Sequence, residues 1–218
     1  MIASVDPIII LDFDGTLVES VGIKDDAFRA LFQSFPDYLS EIMAYHTAHN
    51  AVLRFEKFRY ITETILGLNY TEADEERLSV TFHELIFDGL TTCPEVPGAL
   101  AFLQYYHRRT PIYLVSKSPD EEFDLVIRAR GLFDYFTAIY AGSWDKPDAI
   151  RHILAHEKRA PHEAVFIGDT PEDLAAATAA NVSFIGRYSG RDFVGESTLI
   201  FADMAEVHRH LMGNKDVA

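Results

Sequence analysis

The chain alternates between short, wholly apolar runs and longer amphipathic stretches. Ile8-Ile9-Ile10-Leu11 is the first run. A strand that is apolar at every position, rather than at every second one, is buried on both faces, as in a parallel sheet. Similar runs follow at residues 112–115, 138–141, 164–167 and 182–185. Helical patterns separate them. Residues 99–106 follow the Pro97-Gly98 punctuation, Phe123, Val126 and Ile127 mark a second helix, and Ile150, Ile153 and Leu154 a third. Residues 174–180 form an Ala-rich fourth, with Asn181 as its stop. Strand and helix in alternation predict a doubly wound α/β domain with a parallel sheet.

Residues 19–93 break that rhythm and carry no strand pattern. Phe28, Leu31, Phe32 and Phe35 recur at helical spacing, as do Leu39, Ile42 and Met43. Phe55, Phe58, Ile61 and Ile65 make a third stripe, with Phe55 and Phe58 expected to face the interior. Leu78, Phe82, Leu85 and Ile86 make the last one, which Thr71 and Asp74 can start with a capping box. The expected organisation is an α/β core of residues 1–18 and 94–218. An all-helical domain, 19–93, is inserted after the first strand, with crossings near residues 18–22 and 90–97.

Composition narrows the class. The chain has 218 residues, 48% hydrophobic and 24% charged, with 16 Phe and 10 Tyr to fill a core. Nothing in it reads as disordered. The formal net charge of −15 argues against nucleic acid and against an anionic membrane surface, because phosphate neutralisation needs clustered Lys and Arg. One cysteine, Cys93, allows no disulfide within the chain, fits a reducing compartment, and reads as a buried packing residue. The N-terminal stretch has no basic region, and its apolar run falls far short of the ~18 residues a membrane span needs. A cytoplasmic protein is expected; its oligomeric state is left open.

Chemistry enters at Asp12-Phe13-Asp14-Gly15-Thr16-Leu17. Ligands of open α/β sheets bind at the carboxyl ends of strands, where this segment falls. Alternation puts Asp12 and Asp14 on one side of an extended chain. Two carboxylates so close stay ionised only around a cation, unless one takes a proton. A hard cation favours carboxylate oxygens, and a protonated partner can act as general acid. Gly15 permits a sharp turn. The bland alternative is an Asp pair that only makes an Asx-turn.

This segment resembles the first motif of the haloacid dehalogenase (HAD) superfamily. Three further motifs of that superfamily follow in order. They are Ser116 after the second strand, Lys146-Pro147 after the third, and Gly168-Asp169-Thr170-Pro171-Glu172-Asp173 after the fourth. The resemblance spans the α/β domain, is greatest to phosphoglycolate-phosphatase-like and β-phosphoglucomutase-like members, and puts the helical insertion where the superfamily has its helical cap. It implies a HAD-like phosphatase, cleaving a small phosphate monoester (a sugar phosphate or a phosphoglycolate-like metabolite) with magnesium. Asp12 would attack phosphorus and form an aspartyl phosphate, while Asp14 would serve as general acid and base. Magnesium would be held by Asp12, Asp169 and the Asp14 backbone carbonyl. Lys146 and Ser116 would bind the phosphate. Asp173 would orient Lys146 or a metal-bound water, besides capping its helix with Thr170.

The chain departs from the family at Lys117, which stands where Asn is usual; it is a second candidate phosphate-binding cation, or a solvent-facing side chain. In the insertion, Arg54 and Lys57 lie three apart in Arg54-Phe55-Glu56-Lys57-Phe58-Arg59, share a helix face, and are candidate substrate contacts or a solvated face. His46 with His49, and His152 with His156, have helical ligand spacing but no third ligand nearby. Asp14 disfavours a dehalogenase, because the resemblance implies that dehalogenases lack it. Alternatives are a phosphomutase of the β-phosphoglucomutase type, against which Thr16 weighs mildly, and a non-catalytic scaffold, against which the intact set of Asp12, Asp14, Lys146 and Asp169 weighs.

Overall fold

The structure is a computed structural model that describes residues 6–49, 52–118, 120–190 and 199–213. It divides into two compact units, Met1–Val21 with Cys93–Ala218, and Gly22–Thr92.

The first unit is built on a six-stranded parallel sheet in the order β3-β2-β1-β4-β5-β6. The strands are β1 (Ile8–Leu11), β2 (Ile112–Val115), β3 (Ala138–Tyr140), β4 (Ala164–Gly168), β5 (Ser183–Arg187) and β6 (Leu199–Phe201). Every residue of β1, β2 and β4 is buried, as continuous apolar runs require. Ile8 and Ile10 pack with Ala149, Ile150 and Ile153 on one face, together with Ala176 and Ala177. Those partners belong to two of the helices that follow. In the complete order, the first unit holds α5 (Ala99–Tyr106), α6 (Asp120–Ala129), α7 (Lys146–Glu157), α8 (Pro171–Ala180) and α9 (Met204–Gly213). Asn181 ends α8 in the left-handed conformation, φ 59°, as its stop position predicts. This is the expected doubly wound α/β core.

Two elements were not anticipated, β6 and α9. The fifth strand also runs to Arg187, past the residue 185 expected from its apolar run. Cys93 is half-buried rather than buried, and its carbonyl accepts a hydrogen bond from Arg130 Nη1 at 3.0 Å. Around the two crossings, residues 17–19 and 94–96 pair antiparallel. The Glu19 N–H donates to Pro94 O and the Val96 N–H to Leu17 O, both at 2.9 Å.

The second unit contains α1 (Ile23–Leu31), α2 (Leu39–Ala48), α3 (Arg54–Tyr60), a π-helical turn at Ile61–Ile65 and α4 (Glu72–Thr92). Its core gathers Phe28, Phe32, Ile42, Phe58, Ile61, Leu78 and Phe82. Phe28 and Phe58 each meet Phe82 edge-on, at centroid distances of 5.0 and 5.8 Å. Such pairs contribute roughly 0.5–1.5 kcal/mol beyond their buried area. The Thr71–Asp74 capping box forms: the Thr71 N–H donates to Asp74 Oδ2 and the Asp74 N–H to Thr71 Oγ1. Phe55 does not face the interior. It is 41% exposed, whereas Lys57 and Phe58 take the buried side of α3. Phe35 lies beyond the end of α1, immediately before the 3-10 turn Pro36–Tyr38.

Candidate active site

The chemistry-bearing residues collect at the carboxyl edge of the sheet. Asp12 directly follows β1, and its N–H continues the ladder to Ile167 O at 2.9 Å. Asp169 directly follows β4 and Ser116 directly follows β2. Lys146 opens α7, with Pro147 behind it in the first turn, where a missing N–H costs no helical bond. Asp173 lies in the first turn of α8. All five side chains are buried.

Lys146 is the hub. Its Nζ donates to Asp12 Oδ1 at 2.8 Å and to Asp173 Oδ1 at 2.6 Å. Asp173 Oδ2 accepts from the Thr170 N–H at 3.0 Å and the Thr170 hydroxyl at 2.6 Å. The capping box and the lysine contact therefore coexist, one on each carboxylate oxygen. Burial alone would lower the Lys146 ammonium, but the charges of Asp12 and Asp173 overcome it and raise its pKa. For Asp12, burial dominates and pushes the carboxyl well above its ordinary value. Asp173 and Asp14 add to that push, and Lys146 opposes it.

Among the described residues, ligand oxygens of Asp12, Asp169 and Asp173 lie within 4.8 Å of one another. Three buried carboxylates thus face one buried ammonium. Hard oxygen donors short of positive charge suit a hard divalent cation. A close approach built into the backbone points the same way. Gly15 has φ +68°, and a Cβ there would lie 2.1 Å from Asp169 Oδ2. Only glycine lets the turn after Asp14 come down onto the Asp169 carboxylate.

The Asp14 side chain is not one of that carboxylate trio. The Ser20 hydroxyl donates to its Oδ1 at 2.6 Å, and Ser118 Oγ stands 3.5 Å from its Oδ2. Ser116 Oγ accepts the Ser118 N–H at 3.1 Å, which leaves its own proton for another acceptor. Lys117 is not gathered into the buried group: its side chain is 57% exposed and its ammonium is 3.4 Å from Asp145. The sequence Ser118-Pro119-Asp120-Glu121 reads as a helix start, whose free N–H groups could help hold phosphate; Pro119 lies outside the described residues.

In the helical unit, Arg54 begins α3 and is half-buried. Lys57 does not share a solvated face with it. Its ammonium is buried, donates to His46 O at 3.2 Å, and stands 3.4 Å from His46 Nδ1. His46 Nε2 is 3.0 Å from Asp25 Oδ1, while His49 Nδ1 approaches Tyr45 O. His152 packs against the rings of Tyr140 and Trp144.

Sequence reasoning missed Ser20 and Arg187. Ser20 carried only a proximity signal, six residues from Asp14. Arg187 carried none: its partners Gly15 and Glu19 are 172 and 168 residues away.

Comparison with known proteins gives the family and the fold. The chain is 25% identical over 196 residues, 87% of its own length, to a phosphoglycolate phosphatase of Photorhabdus laumondii, covering 82% of that protein. Its fold is shared with a predicted phosphoglycolate phosphatase from Haemophilus somnus: TM-score 0.73, 17% identity, 96% of this chain and 99% of that one. It is shared as well with a Bacillus subtilis HAD-hydrolase bound to magnesium: TM-score 0.72, 16% identity, 95% and 99% covered. Among the described residues no helix is long and apolar enough to cross a membrane. The family model for haloacid dehalogenase-like hydrolases matches residues 7–181, most of the chain, and the chain belongs to that family.

Proposed function

We propose that the chain is a magnesium-dependent phosphatase of a small phosphate monoester, a sugar phosphate or a phosphoglycolate-like metabolite, acting through an aspartyl phosphate. The observation that carries this reading is the Asp12 carboxylate at the end of β1, with one oxygen held by the buried Lys146 ammonium. A nucleophile held in one orientation can attack in line. The family membership and the phosphoglycolate phosphatase relative support the substrate class.

In the first step an Asp12 oxygen forms a bond to phosphorus as the ester P–O bond breaks. Asp14 gives its proton to the departing alkoxide. In the second step Asp14 takes a proton from water, the water oxygen attacks phosphorus, and the Asp12 carboxylate is released. The Ser20 hydroxyl, 2.6 Å from Asp14 Oδ1, orients that acid and base. The Ser116 hydroxyl and Lys146 hold the equatorial phosphate oxygens, where charge builds. Lys117, exposed and 3.4 Å from Asp145, would serve as a further cation. A magnesium ion held by Asp12, Asp169 and the Asp14 main-chain carbonyl would supply the positive charge that a phosphate dianion needs in so acidic a chain. Asp173, with both oxygens engaged, keeps Lys146 in place.

The test is phosphate release from a panel of sugar phosphates, phosphoglycolate and nucleotides, with magnesium and with chelator. Release that chelator abolishes is expected. Chelator-insensitive release would remove the metal from the reading, and no release from any compound would remove the phosphatase.

A further inference from the structure

We infer that Arg187 is a positioning residue for this centre, fixing the turn after Asp14 against Asp169. The inference rests on the phosphatase reading, because it assigns Arg187 a role in that site. Arg187 ends β5, two strands away from β1, and only 6% of it is exposed. Its guanidinium reaches three residues on two segments, the turn of Gly15 to Glu19 and Ala202 after β6. Nη1 donates to Gly15 O at 2.9 Å and to Glu19 Oε2 at 3.0 Å, Nη2 donates to Glu19 Oε1, and Nε donates to Ala202 O at 3.2 Å. The planar fork matches a carboxylate with two parallel bonds from Nη1 and Nη2, while the second N–H of Nη1 remains for the Gly15 carbonyl and Nε for that of Ala202.

A buried guanidinium is costly, and an apolar side chain could fill the same space with no charge to compensate. What the charge adds is a fixed direction for its acceptors. The Gly15 peptide is held at its carbonyl by Arg187 and at its N–H by Val18 O, at 2.9 Å. Between those holds, the Gly15 α-carbon lies against the Asp169 carboxylate, so close that a Cβ there would lie 2.1 Å from Asp169 Oδ2. Releasing the carbonyl frees the turn to move relative to Asp169, and so changes the spacing of oxygens contributed by the β1 and β4 ends. The Glu19 clamp acts on the same turn from its other end. Ser20, the next residue, carries the hydroxyl that holds Asp14.

The experiment compares Arg187→Met, Arg187→Lys and Glu19→Gln with wild type. It measures magnesium affinity by calorimetry without substrate, then kcat, KM and Tm. Arg187→Met is expected to weaken magnesium binding about tenfold and lower kcat at saturating magnesium about tenfold, with KM changed far less. Arg187→Lys restores part of both, since an ammonium reaches one acceptor but cannot fork. Glu19→Gln loses less, because the Gly15 bond survives. Wild-type magnesium affinity and kcat in Arg187→Met, with only Tm lowered, would overturn the inference and leave a structural arginine. If Arg187→Met does not fold, wild-type affinity and kcat in both other variants overturn it equally. A wild-type protein that neither binds magnesium nor releases phosphate fails the phosphatase reading and takes this inference with it. An active, magnesium-binding wild type beside an unaffected Arg187→Met fails the inference alone.

Discussion

Among the described residues two lysines are buried, one in each unit, and they are held in opposite ways. Lys146 touches two carboxylates, at 2.6 and 2.8 Å. Lys57 touches none: its ammonium has a backbone carbonyl, a His46 nitrogen and the face of Phe28, 5.6 Å from the ring centroid. Burial pulls both toward the neutral amine. In Lys146 the paired carboxylates reverse that pull, and its pKa rises. In Lys57 burial prevails over the more distant Asp25, and its pKa falls. Burial therefore says little about a lysine until its partners are counted. The first lysine is locked as a cation beside the proposed nucleophile. The second is a polar strut inside an aromatic core.

The largest effect is expected where the locked cation meets its partner. Asp12→Asn keeps an acceptor for Lys146 but removes the nucleophile, so kcat should fall by at least ~10⁴. The fold should survive, because burial already disfavours the Asp12 carboxylate. Phosphate release and near-UV circular dichroism read both; most of the activity retained would sink the assignment of Asp12. Lys146→Met comes next. It leaves the Asp12 and Asp173 carboxylates facing each other without a cation, at a cost of about 3–5 kcal/mol in urea unfolding. It should also lower kcat by roughly 10²–10³. An unchanged urea midpoint would mean that the carboxylates take up protons at no cost.

How legible these two environments were differs for a physical reason. The Asp12 centre is written in short segments at strand ends, each adjoining an apolar run, so position singled out the Asp12 segment, and the family resemblance carried by these segments added Ser116, Lys146 and Asp169. The surroundings of Lys57 are written in no segment. Its acceptor lies eleven residues away on another helix, and in Arg54-Phe55-Glu56-Lys57-Phe58-Arg59 charged and aromatic residues alternate so closely that periodicity does not say which face is inward. Phe55 was therefore placed inside and Lys57 outside, and both were reversed. β6 was missed because a three-residue edge strand, with Leu199 and Ile200 exposed, buries too little to leave an apolar signature. Arg187 was missed because long-range polar contacts leave no local pattern.

Lys57→Met tests the other half of the contrast. No carboxylate contact is lost and the apolar stem is replaced by one of similar size. Stability in urea should stay within ~1 kcal/mol of wild type or rise. A loss comparable to that of Lys146→Met would show that the carbonyl and imidazole contacts hold the unit together. A raised KM with stability unchanged would return Lys57 to the substrate role its sequence position suggested.

The smallest effect concerns the imidazole between Lys57 and Asp25. His46 stacks on Phe28 at 3.8 Å, with Asp25 of α1 on Nε2 and Lys57 of α3 on Nδ1. A neutral ring satisfies both neighbours: Nε2–H donates to the carboxylate, and the Nδ1 lone pair faces the ammonium. A second proton would place two cations 3.4 Å apart. Burial first, and Lys57 second, accordingly lower the His46 pKa, with Asp25 opposing. The unfolded chain takes up this proton near pH ~6.5. As pH falls below that value, the unfolded state binds a proton that the folded state refuses. The helical unit then loses stability until the pH drops below the folded pKa, where the loss levels off. Hydrogen exchange of residues 22–92, corrected for intrinsic rates, should show lower opening free energies at pH 5.5 than at pH 7.5. His46→Gln should remove that part of the difference. Lys57→Met should shrink it, because it deletes the second cause of the shift. An equal pH dependence in all three proteins would mean that Lys57 exerts no force on the ring, and that the polar strut is electrostatically silent.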